Sequence, residues 1–150
     1  MIQKFHTILF ACLVGFGVQS NAQIEKILHQ DFNIDGMTAV DFDLVGDYYI
    51  EKWAGTTILV ETKITLESAT PAILRYTLDS GRYEIILLED GQTATLQTKV
   101  GKRLMLRNKS KDVTESISVK IMVPEDFNTE DIKHITRKED SNASTIKSED

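Results

Sequence analysis

The chain is predicted to fold as a mainly β domain, a short β-solenoid or a β-sandwich, with one short helix near residues 71–79. Three observations carry this expectation. Apolar and polar residues alternate at period two in several separate stretches, as half-buried strands require. Dipeptides containing glycine punctuate those stretches where tight turns belong. The apolar members of the runs are largely β-branched, which suits a pleated surface packed on one side.

Residues 1–22 read as a secretory signal peptide. Lys4 supplies the positive start, Ile8 to Val18 form the apolar core, and Ser20-Asn21-Ala22 places small residues before cleavage at Gln23. A transmembrane anchor would need roughly 20 apolar residues. This run is shorter, and Gly15, Gly17, Gln19 and Ser20 break it. A lipoprotein signal would modify Cys12, but Phe10 is bulky where a small residue is usual and the apolar run continues past Cys12, so lipidation is not expected. The expected location is therefore the periplasm or the extracellular space. Cys12 is the only cysteine, so the mature chain holds no disulfide.

After cleavage 128 residues remain, enough for one domain with an adequate core. Residues 23–136 are expected to form that single β-rich domain. From Arg137 to Asp150 the chain is rich in Lys, Glu, Asp, Ser and Asn, with Ile146 as the only large apolar residue. Such a segment offers too little surface to offset its ordering entropy and is expected to be a disordered polar tail. Only Lys4 of the 17 Lys and Arg residues falls in the signal, leaving 16 against 23 Asp and Glu, a net charge of −7. That balance repels phosphate backbones, and no basic run is interleaved with aromatics, so nucleic acid is not an expected partner.

Along the mature chain, Val40, Phe42 and Leu44 alternate with Asp41 and Asp43. Ile58, Val60, Ile64 and Leu66 share a face with Thr62, and Ile117, Val119, Ile121 and Val123 alternate with Ser116, Ser118 and Lys120. Tyr83–Leu88 is apolar on both faces and reads as a central strand, joined through Asp90-Gly91 to a partner over Gln92–Lys99. Pro124 ends the last strong strand by removing a ladder donor. In the helical segment Thr70 caps, Pro71 suits the first turn, and Ile73, Leu74, Thr77 and Leu78 recur at helix spacing before Gly81.

The sharpest local motif is Asp31-Phe32-Asn33-Ile34-Asp35-Gly36, the opening of a calcium loop with Asp31, Asn33 and Asp35 as candidate ligands. Its twelfth position should carry a bidentate Glu and instead carries Phe42, which favours a strand followed by an Asp-Gly turn. Asp41 and Asp43 fall on the wet face of a strand, away from acid–base work. His29 and His134 stand about a hundred residues apart, without zinc-type spacing, and no nucleophile elbow, P-loop or dinucleotide fingerprint occurs. Tyr48, Tyr49 and Trp53 form the one aromatic concentration and are the candidate ligand-binding residues, against the alternative of core or cross-strand packing. No catalytic residue and no cofactor is implied.

The segments Val40-Asp41-Phe42-Asp43-Leu44-Val45-Gly46-Asp47, Ile50-Glu51-Lys52-Trp53 and Ile58-Leu59-Val60-Glu61 together resemble the repeating unit of adhesin-like β-solenoid domains of unknown function from Gram-negative envelope proteins. Ile117–Pro124 resembles their strand ending in Val-Pro. The resemblance implies stacked coils and no catalytic residues. The chain departs from it after Pro124, where a polar tail stands in place of further coils, and this leaves the sandwich open. The function expected is a non-enzymatic envelope or extracellular domain of adhesin-like or scaffolding type, with an envelope polymer or protein as partner. The alternative is a small sandwich that binds a glycan or other ligand through the aromatic patch. Oligomeric state is not legible.

Overall fold

Long alternating strands need cover on their apolar side, and two different layers supply it here. The computed structural model describes residues 23–109 and 111–138. The expected signal peptide and the expected tail from residue 139 onward lie outside the described residues. Four strands form the first sheet: β1 (Gln23–Phe32), β3 (Tyr48–Trp53), β4 (Ile58–Glu67) and β9 (Thr114–Pro124), in the order β1-β4-β9-β3. Five form the second: β2 (Ala39–Asp43), β5 (Ile85–Asp90), β6 (Thr93–Thr98), β10 (Phe127–Asn128) and β11 (His134–Arg137), in the order β10-β11-β2-β6-β5. A two-residue-per-strand hairpin, β7 (Arg107–Asn108) with β8 (Lys111–Asp112), stands apart. The mainly β expectation holds. Pairing is antiparallel except for β3 with β9 and β2 with β6, and no stacked coils or closed barrel occur among the described strands.

The predicted registers decide which faces meet. Ile58, Val60, Val119, Ile121 and Val123 of the first sheet share one core with Val40, Phe42, Ala94, Leu96 and Ile135 of the second. However, β4 and β9 run ten and eleven residues, while β2 and β6 run five and six. The second sheet therefore covers only half of the first. Helix α1 (Pro71–Asp79) covers the rest, with Ile73, Leu74 and Leu78 packed against Ile64, Leu66, Tyr83 and Val113.

Helix α1 spans the predicted residues. Thr70 accepts a hydrogen bond from the Ile73 N–H, and Pro71 opens the first turn. At the other end Gly81, at φ +69°, donates to the Leu78 carbonyl, and the Arg82 N–H bonds the Thr77 carbonyl. That double closure is a Schellman motif, and it needs a left-handed residue at Gly81. It also delivers Arg82 and Tyr83 directly beneath the helix.

Two expectations are corrected. The strand at Tyr83–Leu88 begins at Ile85 and lies at the edge of its sheet, not at its centre. Its two apolar faces have separate causes: Ile85 and Leu87 pack on the core, whereas Leu88 is 48% exposed on the outer side. The side-chain amide of Gln30 blunts this edge by bonding both the N–H and the C=O of Ile85, at 3.1 and 2.9 Å. The second correction is the tail boundary. Arg137 belongs to β11, its guanidinium donating to the Met37 carbonyl at 2.9 Å and lying 4.7 Å from the centre of the Phe127 ring. Charge in the composition masked a side chain tied into the fold.

Candidate functional site

The calcium-like hexapeptide is a turn. Asn33 Oδ1 accepts from the Asp35 N–H at 3.0 Å, and the Met37 N–H bonds the Ile34 carbonyl at 3.1 Å. Asp31 accepts from the Thr57 hydroxyl at 2.9 Å, across the strand pair. Ile34 is fully buried and Phe42, where the closing ligand would stand, is 6% exposed in the core. Among the described residues no three His, Cys, Asp or Glu side chains converge as a metal site.

The aromatic trio is divided. Tyr48 turns toward the inter-sheet core, its ring 5.9 Å from Phe42 and its hydroxyl donating to the Ile132 carbonyl at 3.0 Å. Burial raises its pKa first, and Asp131 adds to the shift. Tyr49 points to the opposite face and is half exposed. Trp53 has the register parity of Tyr49, but its indole folds over Gly55 and donates to the Thr57 carbonyl at 2.9 Å. The ring therefore closes its own loop.

On the outer side of the first sheet, register assembles rows that no single strand reveals. His29, Glu61, Lys120 and Tyr49 form one row across β1, β4, β9 and β3. Asp31, Leu59, Met122 and Glu51 form the next. Lys120 pairs with Glu51 at 3.1 Å and Lys63 with Glu25 at 3.5 Å on this face, and the His29 ring lies 3.1 Å from Glu61. Neither the second sheet nor the helix covers it, because both pack on the other side.

A buried polar cluster under α1 was not anticipated. Arg82 grips Glu115 through Nε at 2.9 Å and Nη2 at 2.8 Å, and Nη2 also donates to the Leu104 carbonyl at 2.8 Å. The Tyr83 hydroxyl donates to Glu115 at 2.6 Å. The Arg103 guanidinium lies 5.9 Å from the centre of the Tyr83 ring, and its Nε is buried with no hydrogen-bond partner among the described residues. Burial opposes ionisation of Glu115, but the bonds from Arg82 and Tyr83 outweigh it and hold the carboxyl below its ordinary range. Burial, reinforced by the bond to Glu115, pushes the Tyr83 hydroxyl up to about 12. Burial likewise lowers the pKa of Arg103. With both oxygens engaged, Glu115 acts as a clamp between β9 and the chain leaving α1. One signal could have found it: Glu115 occupies the apolar parity of Val113, Ile117 and Val119.

Among the described residues three clefts border α1, one of about 340 Å³ between Leu78, Gly81 and Glu84 and the β1 residues Leu28, His29 and Gln30. A second, of about 360 Å³, lies between the C-terminal half of α1 and the segment Val100–Leu106; Tyr76, Lys102, Leu104 and Met105 stand in its walls. The third, of about 400 Å³, lies at the N-terminus of α1 beside Asn108, Lys109 and Lys111. No helix among the described residues is long and apolar enough to cross a membrane. No protein-family model, curated protein or solved structure matches the chain.

Proposed function

We propose that the chain is an exported, non-enzymatic β-sandwich that serves as an adhesin-like or scaffolding module of the cell envelope. The carrying observation is the open outer face of the four-stranded sheet. With strands about 4.8 Å apart and a rise of about 3.3 Å per residue, it spans roughly 14 by 33 Å. An area on the order of 500 Å² suits a weak or transient contact more than an obligate one. Glu25, Asp31, Glu51, Glu61 and Glu67 share the face with Lys63 and Lys120, so it presents a net acidic, hydrogen-bonding surface together with the half-exposed Tyr49. A flat polar face of this kind fits an envelope polymer or protein better than an enclosed small molecule. The division of the aromatic trio weighs against a stacked glycan platform built from Tyr48, Tyr49 and Trp53 together.

The test is co-sedimentation of the mature protein with isolated envelope polymers, comparing wild type with Tyr49→Ala combined with Lys120→Glu. Both changes lie on the open face, so folding should persist. Binding is expected to fall at least tenfold. Undiminished binding by the variant would remove the face from the function, and robust turnover of the polymer would overturn the non-enzymatic reading.

A further inference from the structure

The strongest unassigned feature is the run from Lys99 to Lys111. It carries Lys99, Lys102, Arg103, Arg107, Lys109 and Lys111 with no acidic residue, in a mature chain of net charge −7. Three of these cations are already committed. Lys99 pairs with Glu84 at 2.6 Å, Arg107 pairs with Asp112 at 3.3 Å, and Arg103 turns inward to the Tyr83 ring. Lys102, Lys109 and Lys111 are exposed and have no carboxylate within ion-pair distance among the described residues.

Between these lysines the chain exposes its most solvated large apolar side chains. Leu104 is 74% exposed and Met105 70%, with Tyr76 of α1 at 69% across the same cleft. Arg82, itself bound to Glu115, ties down the Leu104 backbone through its carbonyl, at the edge of the cleft of about 360 Å³ that Leu104 and Met105 help to line. Among the described residues, the cleft beside Val100–Leu106 and the cleft at the N-terminus of α1 have cations and no carboxylate in their lining.

We infer that this segment, with Leu104 and Met105 exposed beside Lys102 and with Lys109 and Lys111 further along it at the N-terminal end of α1, docks on the surface of an anionic phospholipid bilayer. Two apolar side chains at the tip of a basic loop match the interfacial chemistry of acyl chains beneath a layer of phosphates. A purely polyanionic partner would leave Leu104 and Met105 without a role. A second copy of this chain is the competing occupant, because its open sheet face carries five carboxylates against two lysines, and self-association lost in the lysine variants would reveal it. The inference is independent of what the open face of the four-stranded sheet contacts, since the two surfaces lie on different layers of the fold.

The experiment is sedimentation of the mature protein with vesicles of phosphatidylglycerol mixed into phosphatidylcholine, against vesicles of phosphatidylcholine alone. Wild type should bind the anionic vesicles and lose binding as salt rises. Each lysine near the surface should contribute about a fivefold factor. Lys102→Gln, Lys109→Gln and Lys111→Gln together should therefore weaken binding roughly a hundredfold. Leu104→Ser with Met105→Ser should weaken it at least tenfold while leaving the residual binding salt-sensitive. All five side chains are exposed, and unchanged melting curves would show the variants folded. Soluble glycerol phosphate should not compete, which separates a bilayer from a free phosphate ligand. Equal binding to neutral and anionic vesicles, or no binding to either, overturns the inference. So does retention on soluble polyanions without vesicle binding, or self-association lost in the same variants.

Discussion

Replacing Glu115 by alanine removes the acceptor of three hydrogen bonds at 2.6, 2.8 and 2.9 Å. The side chains of Arg82 and Glu115 are only 11% and 15% exposed, so water cannot readily replace the lost carboxylate. Removing one partner of a buried pair costs about 3–5 kcal/mol, because the remaining charge stays desolvated. Arg82 keeps the Leu104 carbonyl, which places the expected loss near the lower end, about 3 kcal/mol. In a chain of this size each kcal/mol shifts Tm by about 3 °C, so Tm should fall by about 10 °C. Against a total stability of about 5–15 kcal/mol the variant should still fold.

The diagnostic contrast is the double variant Arg82→Met with Glu115→Leu. It removes both charges and fills the site with apolar volume, so it should lose less than Glu115→Ala, about 1–2 kcal/mol for the Tyr83 hydroxyl and the Leu104 carbonyl left without partners. Calorimetry and urea unfolding at neutral pH measure both. The pH dependence has a definite sign. The folded carboxyl sits below its ordinary value, so its contribution is present above about pH 4.3 and is lost as pH falls through the lower folded value. The double variant should show a flatter acid limb. Tyr83 works in the opposite sense: its contribution is present below pH 10 and is lost as pH rises toward about 12. A loss under about 1 kcal/mol for Glu115→Ala, or equal losses for the single and double variants, would refute the clamp.

Three further outcomes follow from the packing. Val60→Asp places a carboxylate where a residue 1% exposed now faces both sheets, and it should leave little soluble folded protein; tolerance would mean the β4 register is wrong. Gly55→Ala would set a methyl group into three atoms of the Trp53 ring, so the indole must move and release Thr57. Because Trp53 is the only tryptophan, a red shift in emission with a stability loss of about 1–2 kcal/mol should report this, and unchanged emission would contradict it. Truncation after Lys138 should leave Tm nearly unchanged, whereas truncation after Thr136 should cost about 2–4 kcal/mol through lost Arg137 contacts; equal melting of the two would return Arg137 to the tail.

Legibility followed period and punctuation. The faces of β2, β4 and β9 were readable because each buries one side only, so every second residue is apolar in Ile117–Val123 and, apart from Thr62, in Ile58–Leu66. Helix α1 was readable from Thr70, Pro71 and Gly81, each of which does what its backbone chemistry suggests. Sheet membership was not readable. Asp35-Gly36 could have joined a hairpin, yet it links β1 to β2 in different sheets, and the parallel pairs β2 with β6 and β3 with β9 depend on contacts distant in sequence. For the same reason Tyr83–Leu88 looked central: apolar residues on both faces do not distinguish a covered strand from an edge strand with one exposed apolar side.

The candidate surfaces were less legible because each depends on placement more than on residue type. Tyr48, Tyr49 and Trp53 are close in sequence, but alternation sends Tyr48 and Tyr49 to opposite faces and a local loop claims the indole. Glu115 was overlooked because a carboxylate on an apolar parity becomes reasonable only when Arg82 and Tyr83 arrive from the end of α1, more than thirty residues earlier. The cations of residues 99–111 were diluted by a net charge of the opposite sign and lack the aromatics that mark nucleic-acid surfaces. These last two features are one arrangement. Glu115 draws Arg82 inward, and Arg82 holds the Leu104 carbonyl, which fixes the backbone that carries the exposed Leu104 and Met105. Glu115→Ala should therefore weaken binding to anionic vesicles although Glu115 does not touch them, while the Arg82→Met and Glu115→Leu pair, which recovers part of the stability, should not recover the binding because the Leu104 carbonyl has lost its donor.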